Sequence, residues 1–96
     1  MSDLETRFKE LAKVYEEETR FLSFTKRDHP AMVEVIALGP EAVPIILRHM
    51  RDSNPHWFYA VAAITGAAPV KDENRGRVRL MVEDWLRWGR EQGHDV

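Results

Sequence analysis

Residues 39–66 read GPEAVPIILRHMRDSNPHWFYAVAAITG, which is two apolar segments separated by a polar turn. A Gly-Pro pair opens this stretch and Gly66 closes it, as residues that start or end helices do. Within each segment, apolar residues recur at the spacing of a helix face. The pattern predicts two short helices, over about 41–52 and about 57–65. Because Pro44 lacks an N–H, either the first turn of the earlier helix is loose or its regular part begins at Pro44.

The sequence on both sides has the same helical period. Apolar residues at 4, 8, 11 and 15 predict a first helix from about residue 3 to about 20, and an apolar cluster follows it. A proline and a glycine bound a second helix over 30–38. A last helix is predicted over 74–92, with Gly93 after its end. The cluster after the first helix is Phe21, Leu22 and Phe24, and the stripe of the last helix is Val78, Met81, Val82, Trp85 and Trp88.

These segments predict an all-α fold, a compact bundle of five helices in one domain of residues 1–96. No segment combines strand-like alternation with turn residues. The helical spacing also predicts which side chains form the core. We expect these to be mostly buried: Leu11, Tyr15, Val35, Ile36, Val43, Ile46, Leu47, Trp57, Val61, Ile64, Met81, Val82 and Trp85.

Composition excludes several classes of function. The chain has 96 residues and no cysteine, which rules out disulfides, thiol catalysis and cysteine-based metal sites. Fourteen basic residues against sixteen acidic ones give a net charge of -2, which does not favour electrostatic binding of nucleic acid or of an anionic membrane. The average content of apolar and charged residues argues against disorder.

No segment of the sequence has the pattern of a signal peptide or of a membrane-spanning helix. The N-terminus has neither a basic region nor an apolar one, so it does not predict a signal peptide. The longest uncharged stretch, 53–70, is interrupted by Gly66 and Pro69, and a buried helix explains it better than a membrane span. We expect no membrane partner and a cytoplasmic location.

Residues 39–48, GPEAVPIILR, resemble the first helix of a HEAT-type repeat, and 57–64, WFYAVAAI, resemble its small-residue-rich second helix. The resemblance implies a HEAT-like core over about 30–66, in which 30–38 is the second helix of a preceding unit. The chain as a whole also resembles a group of small bacterial proteins of unknown function. The shared landmarks are His29-Pro30, Gly39-Pro40, Trp57-Phe58, Ile64-Thr65-Gly66, Pro69-Val70 and Trp85-Leu86-Arg87-Trp88-Gly89. That resemblance implies a bacterial source and no particular activity.

The polar residues form no motif that carries chemistry. No two of the four histidines have the spacing of a helical metal site, although His49 and His56 flank a loop that contains Asp52. The glycines are dispersed, and no nucleophile elbow is present. The carboxylates at 16–18, 72–73 and 83–84 are expected to be solvated. We therefore expect no catalytic residue, cofactor or metal.

The tryptophans point instead to a protein partner. Trp85 and Trp88 share a face of the last helix, and we expect Trp85 to be buried and Trp88 to stay partly exposed near the helix end. An exposed Trp beside arginines is the usual composition of an interface hot spot. The predicted function is a small, non-enzymatic protein-interaction module, by analogy an adaptor or a neutralising partner of the antitoxin or immunity type. The expected partner-binding residues are Trp88, Arg87, Arg90, Tyr59 and Arg48, and a homo-oligomer remains open.

A nucleic-acid-binding protein is the first alternative function, and an enzyme or ligand-binding protein with an unrecognised cleft is the second. Arg75, Arg77 and Arg79 form a basic cluster at the head of the last helix. The charge balance argues against this alternative, because residues 49–96 contain seven basic and seven acidic side chains. Contacts to phosphates need a one-sided basic field.

Overall fold

Five α-helices and two short 3₁₀ turns make up the computed structural model, which describes residues 3–22 and 25–96. The helices are α1 (Asp3–Thr19), α2 (Pro30–Ala37), α3 (Val43–Asp52), α4 (Phe58–Thr65) and α5 (Val78–Glu91). The described residues contain no β-strand. The predicted all-α fold is confirmed. Phe24, which was predicted to belong to the cluster after α1, lies outside the described residues.

Short-range polar contacts set the start of α2. His29 is the residue before the helix, and its Nδ1 accepts a hydrogen bond from the Ala31 N–H at 3.0 Å. The Nε2 of the same ring lies 2.8 Å from Glu18 of α1. Since Nδ1 accepts, the Nε2–H donates to that carboxylate. One buried histidine therefore both caps α2 and joins it to α1.

A proline lies at the start of α3, and a glycine ends α4. The chain makes a 3₁₀ turn over Pro40–Ala42 before α3 begins at Val43, so Pro44 falls in the first helical turn, where its missing N–H costs no bond. Gly66 ends α4 in the left-handed conformation, with φ of 70°. A residue with a side chain rarely adopts that conformation. Both helices thus end where the sequence predicts.

The last helix starts later than expected. It begins at Val78 rather than near residue 74, because the preceding residues form a 3₁₀ turn (Asp72–Asn74) and then a bend at Gly76 with φ of 83°. The buried stripe of α5 is also rotated from the predicted one. It consists of Val82, Asp84, Trp85, Leu86 and Gly89, while Val78 is exposed.

All five helices contribute side chains to one core cluster, and Trp57 in this cluster has no exposed surface. Most of the predicted core residues are buried. Ile36, Ile64 and Met81 are only half-buried, because each lies at the edge of its helix's buried stripe. The core further includes side chains that were absent from the prediction: Phe8, Ala12, Ala31, Met32, Ala42, Ile45, Met50, Ala60 and Leu86.

Packing between helices places α3 at the middle of the fold. It contacts α1, α4 and α5, while α2 packs against α1 and α4. None of the described helices is by itself long and apolar enough to cross a membrane. The one consecutive pair that reaches this length and composition, Pro30–Ala37 with Pro40–Asp52, is bent by 98°.

Candidate partner-binding site

The two tryptophans of α5 differ in exposure as predicted. Trp85 is 3% exposed and belongs to the core, whereas Trp88, one turn later, is only partly buried. Their rings meet edge to face, with centroids 5.4 Å apart and an interplanar angle of 78°. This is a favourable arrangement of two aromatic quadrupoles. The indole of Trp88 is therefore held against a buried support and keeps one side accessible.

The chain turns back after α5 and lies beside Trp88. Gly93, with φ of 90°, makes the turn, and the His94 N–H donates to the Gly89 carbonyl at 2.9 Å. The His94 ring then lies 6.3 Å from the Trp88 ring. As a result, the partly buried Trp88 ring contacts two other aromatic rings, those of Trp85 and His94.

Two of the predicted arginines hold the segment after this turn, residues 94–96. Arg48 of α3 donates to the Asp95 carbonyl at 3.1 Å, and Arg90 of α5 donates to the Val96 carbonyl at 3.2 Å. Both contacts are exposed to solvent. The guanidinium groups at this end of the molecule are therefore occupied by backbone carbonyls of the same chain.

Gly89 allows close contact under this segment. A Cβ atom at this position would lie 2.7 Å from Leu47 Cδ1 of α3 and 3.0 Å from Val96 Cγ2. The first distance is shorter than van der Waals contact allows. The absence of a side chain at Gly89 thus lets α5 pack closely on α3 while residues 94–96 pass beside it.

Arg87 belongs to a different cluster, centred on Asp84. Asp84 was predicted to be solvated, but it is only 2% exposed. Its Oδ2 accepts from the Lys71 N–H at 3.0 Å and from Asn74 Nδ2 at 2.8 Å, and its Oδ1 accepts from Arg87 at 3.1 Å. The prediction was wrong because the loop before α5 folds over the carboxylate.

These donors determine the charge state of Asp84. The hydrogen bond from Asn74 and then the one from Lys71 lower the pKa of Asp84 below its ordinary value of 3.8, although burial raises it. Arg87 adds a smaller lowering of this pKa. The group is therefore a buried carboxylate that stays ionised near neutral pH, and it anchors the loop rather than serving as an acid.

Tyr59 lies in a third neighbourhood. It is half-buried on α4, and the guanidinium of Arg27, from the loop before α2, lies 4.8 Å above its ring. This distance is typical of a cation–π contact. The predicted partner-binding residues thus divide into three groups, of which one surrounds residues 94–96 and contains Arg48, Trp88 and Arg90.

The basic cluster of the alternative function is exposed but accompanied by acidic residues. Arg75, Arg77 and Arg79 are all exposed. Arg75 pairs with Asp72 at 3.3 Å, and both side chains are mostly in solvent. With Glu73 also exposed beside them, this loop presents mixed charge rather than a one-sided basic field.

A polar cluster that no sequence pattern predicts is built on Glu16. Its Oε2 accepts from Trp57 Nε1 at 2.8 Å and lies 3.0 Å from His49 Nε2. Glu16 was expected to be solvated, but its side chain is only 28% exposed. No local pattern predicts this contact, because Glu16 and Trp57 are 41 residues apart.

Two open grooves flank Glu16. One, of about 580 Å³, lies between the end of α1 and the loop before α4. The other, of about 430 Å³, runs along α1 toward His49 and Ser53. The Nε2 atom of His49 is already in contact with Glu16. Within residues 3–22 and 25–96, no three metal-ligating side chains come together.

Comparison with known proteins provides no relative from which a role could be transferred. No protein-family model, curated protein or solved structure matches this chain. The resemblance to HEAT-type repeats therefore stays a prediction, and any functional assignment has to come from the chain's own residues.

Proposed function

We propose that this protein is a small protein-interaction module that binds another protein through the end of α5. The observation that carries the proposal is the position of Trp88, which is partly exposed and supported edge-on by the buried Trp85. An aromatic ring that is already held in place loses little side-chain entropy on binding. Tryptophan and arginine are also the residue types most enriched in binding hot spots.

The contacts around Trp88 suggest the chemistry of the partner. Arg48 and Arg90 already bind backbone carbonyls of residues 95 and 96, in exposed hydrogen bonds. A partner that offers its own carbonyl or carboxylate oxygens would replace these contacts at little cost, since both states satisfy the guanidinium donors. An adaptor or a neutralising partner of the antitoxin or immunity type fits such a small binding module by analogy.

The test starts with a pull-down of the tagged protein from its native host, followed by mass spectrometry and a titration of the recovered partner. Trp88→Ala should leave the thermal melt nearly unchanged and weaken binding by about 2 kcal/mol or more. Trp85→Ala should destabilise the fold by about 3–5 kcal/mol, because it empties the core. Glu83→Ala, at an exposed position of the same helix, is the matched control and should change neither.

Two outcomes would count against this site. If both tryptophan variants melt early, Trp88 acts as a core residue and binding must be sought first at Tyr59, which lies in a different neighbourhood. If the partner binds Trp88→Ala as well as the wild type, the end of α5 is not the binding surface.

Nucleic-acid binding is the second candidate, and it rests on two exposed arginines. Arg77 and Arg79 have no side-chain partner among the described residues. The discriminating measurement is fluorescence anisotropy with labelled duplex and single-stranded oligonucleotides at low and moderate salt. Binding that falls steeply with salt and is lost in the Arg77→Glu/Arg79→Glu variant would favour this function.

A further inference from the structure

The side of α1 that faces away from the core carries a regular set of residues. The helix buries Phe8, Leu11, Ala12 and Tyr15 against the other helices. On the opposite side, exposed residues recur at spacings of three and four and so form one continuous stripe. We define this stripe as the outer face of α1; its members are Glu10, Lys13, Val14, Glu17, Arg20 and Phe21.

The stripe continues past the last helical residue. The Leu22 N–H donates to the Thr19 carbonyl at 2.8 Å, so the chain keeps turning through residues 20 and 21. Phe21 is 88% exposed, the most exposed large hydrophobic residue among those described, and Val14 is 43% exposed. The Arg20 guanidinium lies 4.8 Å above the Phe21 ring. An apolar ring in this position loses contact with water only if another molecule covers it.

The charges on the outer face follow an order that is complementary to itself. On the outer face, the charged residues are, in chain order, Glu10, Lys13, Glu17 and Arg20, so the sign alternates along this face. If two copies of α1 pack antiparallel with the twofold axis beside residue 15, Glu10 faces Arg20 of the second copy and Lys13 faces its Glu17. Parallel packing in register would instead bring each charge against its own kind.

We propose that the outer face of α1 binds a second copy of this chain in an antiparallel, twofold-symmetric helix pair. Such an interface must be complementary to itself, and this order of charges meets that requirement. The two Val14 side chains meet close to the axis. Each Phe21 lies level with Lys9 of the second copy, a residue beside the outer face whose ammonium is 3.9 Å from Glu5 of its own chain and whose aliphatic stem can cover the ring. The surface differs from the proposed partner site at Trp88, so the two proposals stand or fall separately.

The contact is short, about three helical turns, and its area falls below that of a standard stable interface. We therefore expect a reversible dimer rather than an obligate one. The pair of Arg7 and Glu10, at 3.9 Å and well exposed, competes only weakly for Glu10. Salt should weaken the dimer, because its charge pairs are exposed to solvent.

The test uses sedimentation equilibrium of the full chain from about 10 μM to about 1 mM, a range that covers weak association. Lys13→Glu and Glu17→Lys each place like charges opposite one another in the homodimer, so each should weaken dimerisation by about tenfold or more. An equimolar mixture of these two variants should dimerise again, because every facing pair is then opposite in charge. Circular dichroism of each variant checks that the helices remain folded.

Two further variants separate this face from others. Phe21→Ser should weaken the dimer while leaving the fold intact, since the side chain packs on little within its own chain. Trp88→Ala should leave dimerisation unchanged. A wild type that stays monomeric throughout the concentration range overturns the proposal. So does a dimer that resists both charge reversals, or variants whose mixture fails to associate.

Discussion

The side chain of Asp84 joins a loop to a helix through one buried carboxylate. Its two oxygens accept three hydrogen bonds, from the backbone of Lys71 and the side chains of Asn74 and Arg87. A buried charge is tolerated only when such partners replace water. These contacts also explain why α5 begins at Val78, since they hold the preceding residues in a 3₁₀ turn.

We predict that Asp84 makes the stability of the protein depend on pH in the acid range. The folded state lowers the pKa of this carboxyl below 3.8, so its stabilising effect is complete above that value and is lost as pH falls through the lowered pKa. Asp84→Asn should be less stable than the wild type at pH 7, and the difference should narrow below about pH 4. Urea unfolding, followed by tryptophan fluorescence at pH 7 and below about pH 4, measures the stability difference between the variant and the wild type. Equal differences at the two pH values would contradict the prediction.

At the scale of helices, the packing of α3 on α5 depends on a large residue facing a small one. Leu47 has no exposed surface, and its Cδ1 occupies the space that a side chain at position 89 would need. Protein interiors are packed closely enough that an added methyl group has to displace a neighbour. A side chain at position 89 would therefore have to displace Leu47, at a helical position where alanine would otherwise be preferred.

Leu47→Ala should lower the free energy of unfolding by about 2–5 kcal/mol, because it removes buried contacts and leaves a cavity. Unfolding in denaturant measures this loss when the free energy of unfolding falls with denaturant concentration at the same slope in both proteins. A loss below about 0.5 kcal/mol would mean that Leu47 does not lie in the core.

The effect of Gly89→Ala should depend on Leu47. Alone, the substitution forces overpacking that costs about 1–3 kcal/mol, against a helix-propensity gain of about 1 kcal/mol. In the Leu47→Ala background the 2.7 Å contact is gone and only the 3.0 Å approach to Val96 Cγ2 remains, so Gly89→Ala should cost less than it does in the wild type. A double-mutant cycle measures the coupling, and strictly additive effects would contradict close contact between these positions.

At the scale of the whole molecule, Glu16 connects helices that are distant in sequence. It extends from α1 to Trp57, just before α4, and to His49 of α3. The Trp57 ring also packs against two rings of α1: its centroid is 5.1 Å from that of Tyr15 and 5.4 Å from that of Phe8. The Cα radius of gyration is 12.6 Å, close to the value of about 13 Å for a compact chain of about 100 residues.

Glu16→Ala should therefore destabilise the fold by about 1–3 kcal/mol, since it leaves the buried indole N–H of Trp57 without an acceptor. Glu16→Gln keeps an oxygen that can accept this bond and should cost less. Glu17→Ala, the exposed neighbour, serves as the control and should stay within about 0.5 kcal/mol of the wild type. Thermal and urea unfolding at low protein concentration measure all three. If Glu16→Ala matches the control, the hydrogen bond to Trp57 does not contribute to stability.

The number of helices and nearly all their ends can be predicted from local sequence patterns. Helical periodicity and helix-ending residues such as Gly66 act within a few neighbours along the chain, so they can be read without knowing the fold. The same local reasoning placed Trp85 inside and left Trp88 partly exposed, because the second lies close to the end of its helix. It also placed Trp88 and Arg90 on the same end of α5.

Packing between distant parts of the chain sets which polar groups are buried and which predicted site residues meet. Asp84 and Glu16 look like other surface carboxylates until a distant loop or an indole covers them. Tyr59 of α4 contacts Arg27, whereas Trp88 of α5 contacts Trp85, so these two predicted site residues lie in different neighbourhoods. The physical reason is that burial depends on what packs against a side chain, and in this protein those neighbours come from other helices and loops.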